Sequence, residues 1–144
     1  MEASVDSKEF SRGICILLVE DNDIIRLCMR SLLESYECDV VSANTGEEAL
    51  ERFDQHIDGV LMDIGLPGMD GYATTCQLRQ SSHGREIPIY ACSAFDRDIE
   101  PSCIRAGMNG FIQKPCRRNE VENFLHVANK KNGSEKALIK NNVI

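Results

Sequence analysis

Ile14-Cys15-Ile16-Leu17-Leu18-Val19 is an unbroken apolar run of strand length, and Glu20-Asp21-Asn22 ends it abruptly. A run without alternation reads as a strand covered on both faces, as in a parallel sheet. The same pattern returns at Asp58-Gly59-Val60-Leu61-Met62-Asp63, where apolar residues again close on an acid. Between the two, Asp21 or Asn22 caps a helix through about Glu34, with Ile25, Cys28, Met29, Leu32 and Leu33 on one face. Cys38 to Ala43 reads as a second strand, and Asn44-Thr45 caps a helix carrying Ala49, Leu50 and Phe53.

Beyond Asp63, Ile64 to Gly71 holds three glycines and a proline and must be a loop. A helix from Tyr72 to about Gln80, a strand from Ile87 to Cys92 and a helix from Asp96 to Ala106 follow. Gly110 to Gln113 is a short strand, and Arg117 to about Lys130 a last amphipathic helix. Five strands alternating with five helices make a doubly wound α/β domain over residues 13–130. The polar residues 1–12 and the Lys- and Asn-rich residues 131–144 are expected to be flexible.

Composition agrees with one ordinary globular domain: 144 residues, 42% hydrophobic and 27% charged. A net charge of −7 argues against general affinity for nucleic acid or anionic membrane. No apolar run approaches the roughly 20 residues of a membrane-spanning helix, and the first dozen residues lack a signal peptide's apolar core. The seven cysteines are scattered, with no C-x-x-C pair, so neither a zinc site nor a disulfide framework is expected. A reducing cytoplasm fits best. His56, His83 and His126 are expected to be isolated surface residues.

In doubly wound sheets the binding crevice lies at the carboxyl ends of the strands. Glu20, Asp21, Asp63, Ser93 and Lys114 all sit where a strand ends, so they should converge on one edge. Singly, each has a plain reading: a helix cap, a turn former, a solvated lysine. Together they offer an acceptor carboxylate, further acids that need a cation between them, a lysine and a hydroxyl. Small acidic clusters beside phosphate are the usual setting for Mg²⁺. The set suits phosphoryl transfer, in which a protein supplies mainly positioning and charge stabilisation.

Leu17-Leu-Val-Glu-Asp-Asn22, Leu61-Met-Asp-Ile-Gly-Leu-Pro-Gly-Met-Asp-Gly71, Cys92-Ser-Ala94 and Ala106-Gly-Met-Asn-Gly-Phe-Ile-Gln-Lys-Pro115 resemble the full set of receiver-domain motifs of response regulators. The likeness runs from about Ile14 to Lys130 and is greatest to receivers of hybrid sensor histidine kinases. It implies a five-stranded parallel sheet of order 2-1-3-4-5 flanked by five helices, the flavodoxin-like receiver fold. It makes Asp63 the phosphoacceptor. Mg²⁺ would be held by Asp21, Asp63 and the Gly65 carbonyl, with Glu20 acting through water. Lys114, Ser93 and the Ala94 amide would meet the phosphoryl group, and Phe111 matches the switch aromatic. The implied partner is a histidine kinase or histidine phosphotransfer domain, with no nucleic acid and no membrane insertion. Such a protein is a signalling receiver rather than an enzyme, although it catalyses its own phosphorylation and dephosphorylation. It is either a standalone regulator or the receiver of a larger hybrid kinase.

Two departures from the family pattern stand out. The switch position holds Phe, which has no hydroxyl, and Pro101 interrupts the fourth helix. Proline in a helix interior costs about 3 kcal/mol, so that helix should begin at or just before Pro101. On the first helix, Ile24 and Leu27 fall outside the stripe that packs on the sheet, and are expected to dock the phosphodonor. A phosphatase of the haloacid-dehalogenase type would want a second acid two residues after Asp63, where Gly65 stands. The nucleotide-binding motifs G-x-x-x-x-G-K-[ST] and G-x-G-x-x-G are absent from the sequence.

Overall fold

The computed structural model describes residues 13–94 and 97–143, with side chains given for 13–94 and 98–130. Five strands form one parallel sheet: β1 (Cys15–Val19), β2 (Asp39–Ala43), β3 (Gly59–Asp63), β4 (Ile89–Ser93) and β5 (Gly110–Gln113). Their order is β2-β1-β3-β4-β5, as the family likeness implied. The central strand β3 is buried at every position, which explains its unbroken apolar run. Both edge strands have exposed positions.

Among the described residues six helices flank the sheet, one more than the sequence reading placed. They are α1 (Asp23–Ser35), α2 (Gly46–Arg52), α3 (Gly71–Leu78), α4 (Ser82–Glu86), α5 (Glu100–Ala106) and α6 (Arg118–Val143). The added α4 has five residues, too few to show a periodicity, and is capped by Ser81 Oγ on the Gly84 amide. Asn22, Thr45 and Asp70 cap α1, α2 and α3 through side-chain oxygens on the amides of Ile25, Glu48 and Ala73. α5 begins at Glu100 behind a 3₁₀ turn, Arg97–Ile99, with Pro101 in its first turn. A proline there loses no intrahelical bond, because the first amides of a helix have no partner. The expected start at Asp96 lies outside the described residues. α6 runs on past the end near Lys130 that the sequence reading set; Gly133, its one interior glycine, weakens a helix by only about 1 kcal/mol.

Strand alternation divides the core into two layers. Ile16, Leu18, Leu61, Cys92 and Ile112 face α1 and α6, packing on Met29, Leu33, Phe124 and Leu125. Leu17, Val19, Val60, Met62, Ile89 and Ala91 face the other way, toward Ala49, Leu78 and Cys103. Each fully buried Leu, Ile, Val, Met or Phe side chain among them contributes roughly 1.5–3 kcal/mol. Phe124 packs tilted against Tyr90, with ring centroids 5.0 Å apart.

Cys28 is exposed rather than part of the packed stripe, in which Met29 and Leu33 are buried and Ile25 and Leu32 pack partly buried. His83 is half-buried: its Nε2 lies 2.7 Å from the Ile57 carbonyl and its ring stacks on Phe53. His56 is exposed beside Asp54, and His126 is exposed.

Candidate phosphoacceptor site

The chain winds from β1 outward to β2, then returns to add β3 on the other side of β1. This reversal opens a crevice at the carboxyl ends of β1 and β3, the ligand position of doubly wound sheets. Asp63 closes β3, while Glu20 and Asp21 follow β1 directly. The carboxylates of Glu20, Asp21 and Asp63 each offer an oxygen within 4.8 Å of the others. Glu20 and Asp63 are buried and Asp21 is exposed, so the cluster is open on one side.

Lys114 enters from the end of β5, held in line by its amide on the Ser93 carbonyl at 2.7 Å. Its ammonium lies 2.6 Å from Glu20 Oε1 and 3.5 Å from Asp63 Oδ1. Burial pushes this amine down. The hydrogen bond to Glu20 and the charges of Asp63 and Glu20 together outweigh burial, and Lys114 stands above its ordinary value. It is therefore a fixed cation. Glu20 is further held by the Asn22 amide on Oε2 at 3.2 Å. Asp63 Oδ1 accepts the Gly65 amide at 3.2 Å, while no described residue hydrogen-bonds to Oδ2. Three carboxylates around one point are a donor set for a hard divalent cation.

The remaining sequence-predicted residues lie around this centre. Ser93 is buried at the end of β4, and Ala94 is exposed just beyond it. In the β4–β5 register Ala91 pairs with Phe111 and Ser93 with Gln113, so Ser93 and Phe111 share one face of the sheet. Phe111 is half-buried against that face's core. Gly65 sits exposed in the loop after β3. Ile24 and Leu27 are 74% and 65% exposed on the first turns of α1, and Cys28 extends their patch.

Sequence reasoning missed two supports. Arg26 donates to the Glu20 carbonyl at 2.9 Å while pairing with Asp23, fixing the turn that carries the acids. Gly71 lies so close to the end of β3 that a Cβ there would sit 2.4 Å from the Asp63 carbonyl oxygen. A glycine opening a helix was the available signal for the second; the first had none.

The model of the response regulator receiver domain family matches residues 16–126. Over 114 residues the chain is 40% identical to the CAI-1 autoinducer sensor kinase/phosphatase CqsS of Vibrio cholerae, covering 75% of this chain and 16% of that protein. It is 33% identical over 115 residues to the two-component response regulator-like protein APRR7 of Arabidopsis thaliana, covering 77% of this chain and 16% of that one. The chain thus spans about a sixth of the length of these relatives. The solved receiver domain of a sensor histidine kinase from Pseudomonas aeruginosa is 34% identical, with a TM-score of 0.73. It covers 82% of this chain and 98% of its own, and holds a magnesium ion coordinated in its active site cleft. With acids, lysine and strand order in the arrangement described, the chain belongs to the response regulator receiver domain family.

Proposed function

We propose that Asp63 accepts a phosphoryl group from a phosphohistidine on a histidine kinase or histidine phosphotransfer domain. The observation that carries this reading is the buried Asp63 carboxylate, flanked by two acids within 4.8 Å and by the Lys114 ammonium at 3.5 Å. Asp63 Oδ2 attacks phosphorus, the P–N bond breaks, and the imidazole leaves with the bonding electron pair. The product is an aspartyl phosphate, which water later hydrolyses.

Asp21, Asp63 and the Gly65 carbonyl would hold Mg²⁺, with Glu20 acting through water. When bound, the ion neutralises charge on the phosphoryl oxygens. The magnesium in the Pseudomonas receiver supports this part of the reading. Lys114 then turns from Glu20 to a phosphoryl oxygen, and Ser93 and the Ala94 amide hydrogen-bond the others. Ser93 moving toward the phosphoryl group leaves space on its own face of the sheet, into which Phe111 turns. Phe has no hydroxyl, so its burial sacrifices no hydrogen bond. Ile24 and Leu27, beside the acids on α1, dock the histidine-bearing helix. The sensor kinase/phosphatase among the relatives supports a partner of this class. We place the protein in a reducing cytoplasm, which suits its free cysteines. No helix among the described residues is long and apolar enough to cross a membrane.

Intact-mass spectrometry after acetyl phosphate treatment tests the central step. One phosphoryl group should be added with Mg²⁺ and none with EDTA. Equivalent labelling of Asp63→Asn would overturn the assignment.

A further inference from the structure

Two cysteines that the phosphoacceptor chemistry does not use meet beside it. Cys92 Sγ and Cys116 Sγ are 3.9 Å apart although separated by 24 residues. Cys92 is buried in β4 immediately before Ser93, and Cys116 lies in the loop between β5 and α6, two residues after Lys114. Both pack in the layer facing α1 and α6. We propose that Cys92 and Cys116 are an oxidation site, closing to a reversible disulfide in the presence of a peroxide and tying the Lys114 loop to the end of β4.

The geometry assigns unequal roles. Cys116 is half-buried in a loop and Cys92 is fully covered in a strand, so a peroxide meets Cys116 first. The charge of Lys114, two residues away, favours the thiolate of Cys116. The Cys116 thiolate attacks one peroxide oxygen and the O–O bond breaks. This leaves a sulfenic acid on Cys116 and, with a proton, one water. Cys92 sulfur then attacks the sulfenic sulfur, loses its proton and expels the hydroxyl as a second water. Two thiols are oxidised by two electrons and one peroxide is reduced. A dithiol reverses the reaction by exchange.

A disulfide needs its sulfurs about 2.05 Å apart, so closure draws them together by roughly 2 Å. Cys92 is anchored by strand pairing on both sides, through β3 and β5, so the loop must supply most of the movement. Lys114 is displaced with it. The consequence for phosphoryl acceptance rests on the role of Lys114 proposed above. Misplacing a catalytic group by an ångström costs rate severely, so the oxidised protein should accept phosphate roughly tenfold more slowly, or less readily still.

The test treats the full chain, carrying Cys28→Ser and Cys76→Ser to remove the two exposed thiols, with hydrogen peroxide. Desalting, alkylation and peptide mass spectrometry follow. A Cys92–Cys116 cross-linked peptide that dithiothreitol abolishes and Cys116→Ser prevents is the expected result. Full alkylation of both thiols after peroxide, or a disulfide between other cysteines, would overturn the proposal. Acetyl phosphate labelling with Mg²⁺ is then compared before and after reduction. Slower labelling that reduction restores supports the gate, and equal rates with the cross-link in place overturn it. Should the reduced protein take no phosphate at all, the assignment of Asp63 fails, while the cross-link is judged on its own mass.

Discussion

The Lys114 ammonium lies 0.9 Å nearer to Glu20 than to Asp63, at 2.6 Å against 3.5 Å. Lysine carries a compact charge on a flexible stem, so it can change partner without rebuilding the backbone. Glu20 thus holds the cation within reach of the Asp63 carboxylate and keeps the buried acids from facing one another uncompensated. Removing either member leaves a buried charge with less support, which makes the pair a sensitive place to test the site.

Glu20→Gln should weaken Mg²⁺ affinity by about 10–100-fold while the fold persists, the range expected for groups that act around a metal rather than on it. Isothermal titration with MgCl₂, alongside far-UV circular dichroism, measures this. An unchanged affinity would remove Glu20 from the metal site.

Ile24→Asp and Leu27→Asp should each slow transfer from a phosphohistidine protein by roughly 10-fold or more, the effect of losing one apolar anchor of 1–3 kcal/mol. Labelling by acetyl phosphate should be unaffected, because both variants leave the acid cluster and Lys114 unchanged. Radiolabel transfer with both donors separates the cases: equal loss with the two donors means a folding defect, and no loss with the protein donor excludes docking on α1.

Gly71→Ala should destabilise the protein by about 1–3 kcal/mol, as overpacking against fixed atoms does. The added Cβ would meet the Asp63 carbonyl oxygen at 2.4 Å and the Ile64 Cα at 2.9 Å, both backbone. Gly65→Ala is the matched control: its Cβ meets nothing within 4 Å, and its cost should stay within about 0.5 kcal/mol. Urea unfolding of the two variants decides. Equal stabilities would mean that the end of β3 yields more readily than its neighbours imply.

Tyr36 provides a pH test away from the acids. Burial and then the hydrogen bond to Glu122 raise its phenol above the ordinary value of 10.0, against the opposing charge of Arg118. A raised folded value favours the neutral form, so its stabilisation is complete below pH 10.0 and is lost as pH rises through the folded value. Tyr36→Phe should therefore show a shallower loss of stability than the parent between pH 9 and pH 11, a window spanning the ordinary value. Parallel urea titrations measure it, and identical slopes would count against the pair.

Ser93→Ala should keep phosphorylation but lose most of the accompanying movement of Phe111. Ring resonances of Phe111, followed by NMR with a beryllofluoride mimic, report that movement. A full shift in the variant would show that Ser93 does not couple phosphate to the aromatic.

Much of the site was legible because its residues occupy strand ends, and strand ends are punctuated by abrupt changes from apolar to charged. Asp63, Glu20-Asp21 and Lys114 each follow such a change. α4 was not legible, since five residues containing Gly84 carry no periodic signal. The two-sided character of α1 was only half legible. Periodicity put Ile24 and Leu27 outside the stripe, and both are exposed, yet it also assigned the exposed Cys28 to the core.

By itself, the sequence determined the five strands in order with helices between them, the dipeptides that cap the first two helices and the start of α5 just before its proline. These follow from local physics: burial on two faces, orphan amides seeking acceptors, and a ring that fits only a first turn. Tertiary structure alone decided which distant groups touch. Lys114 meets Glu20 across 94 residues, and Cys92 meets Cys116 across 24, because the order β2-β1-β3-β4-β5 brings particular strand ends together. Contacts of that kind depend on sheet order and loop path, which no periodicity along the chain encodes.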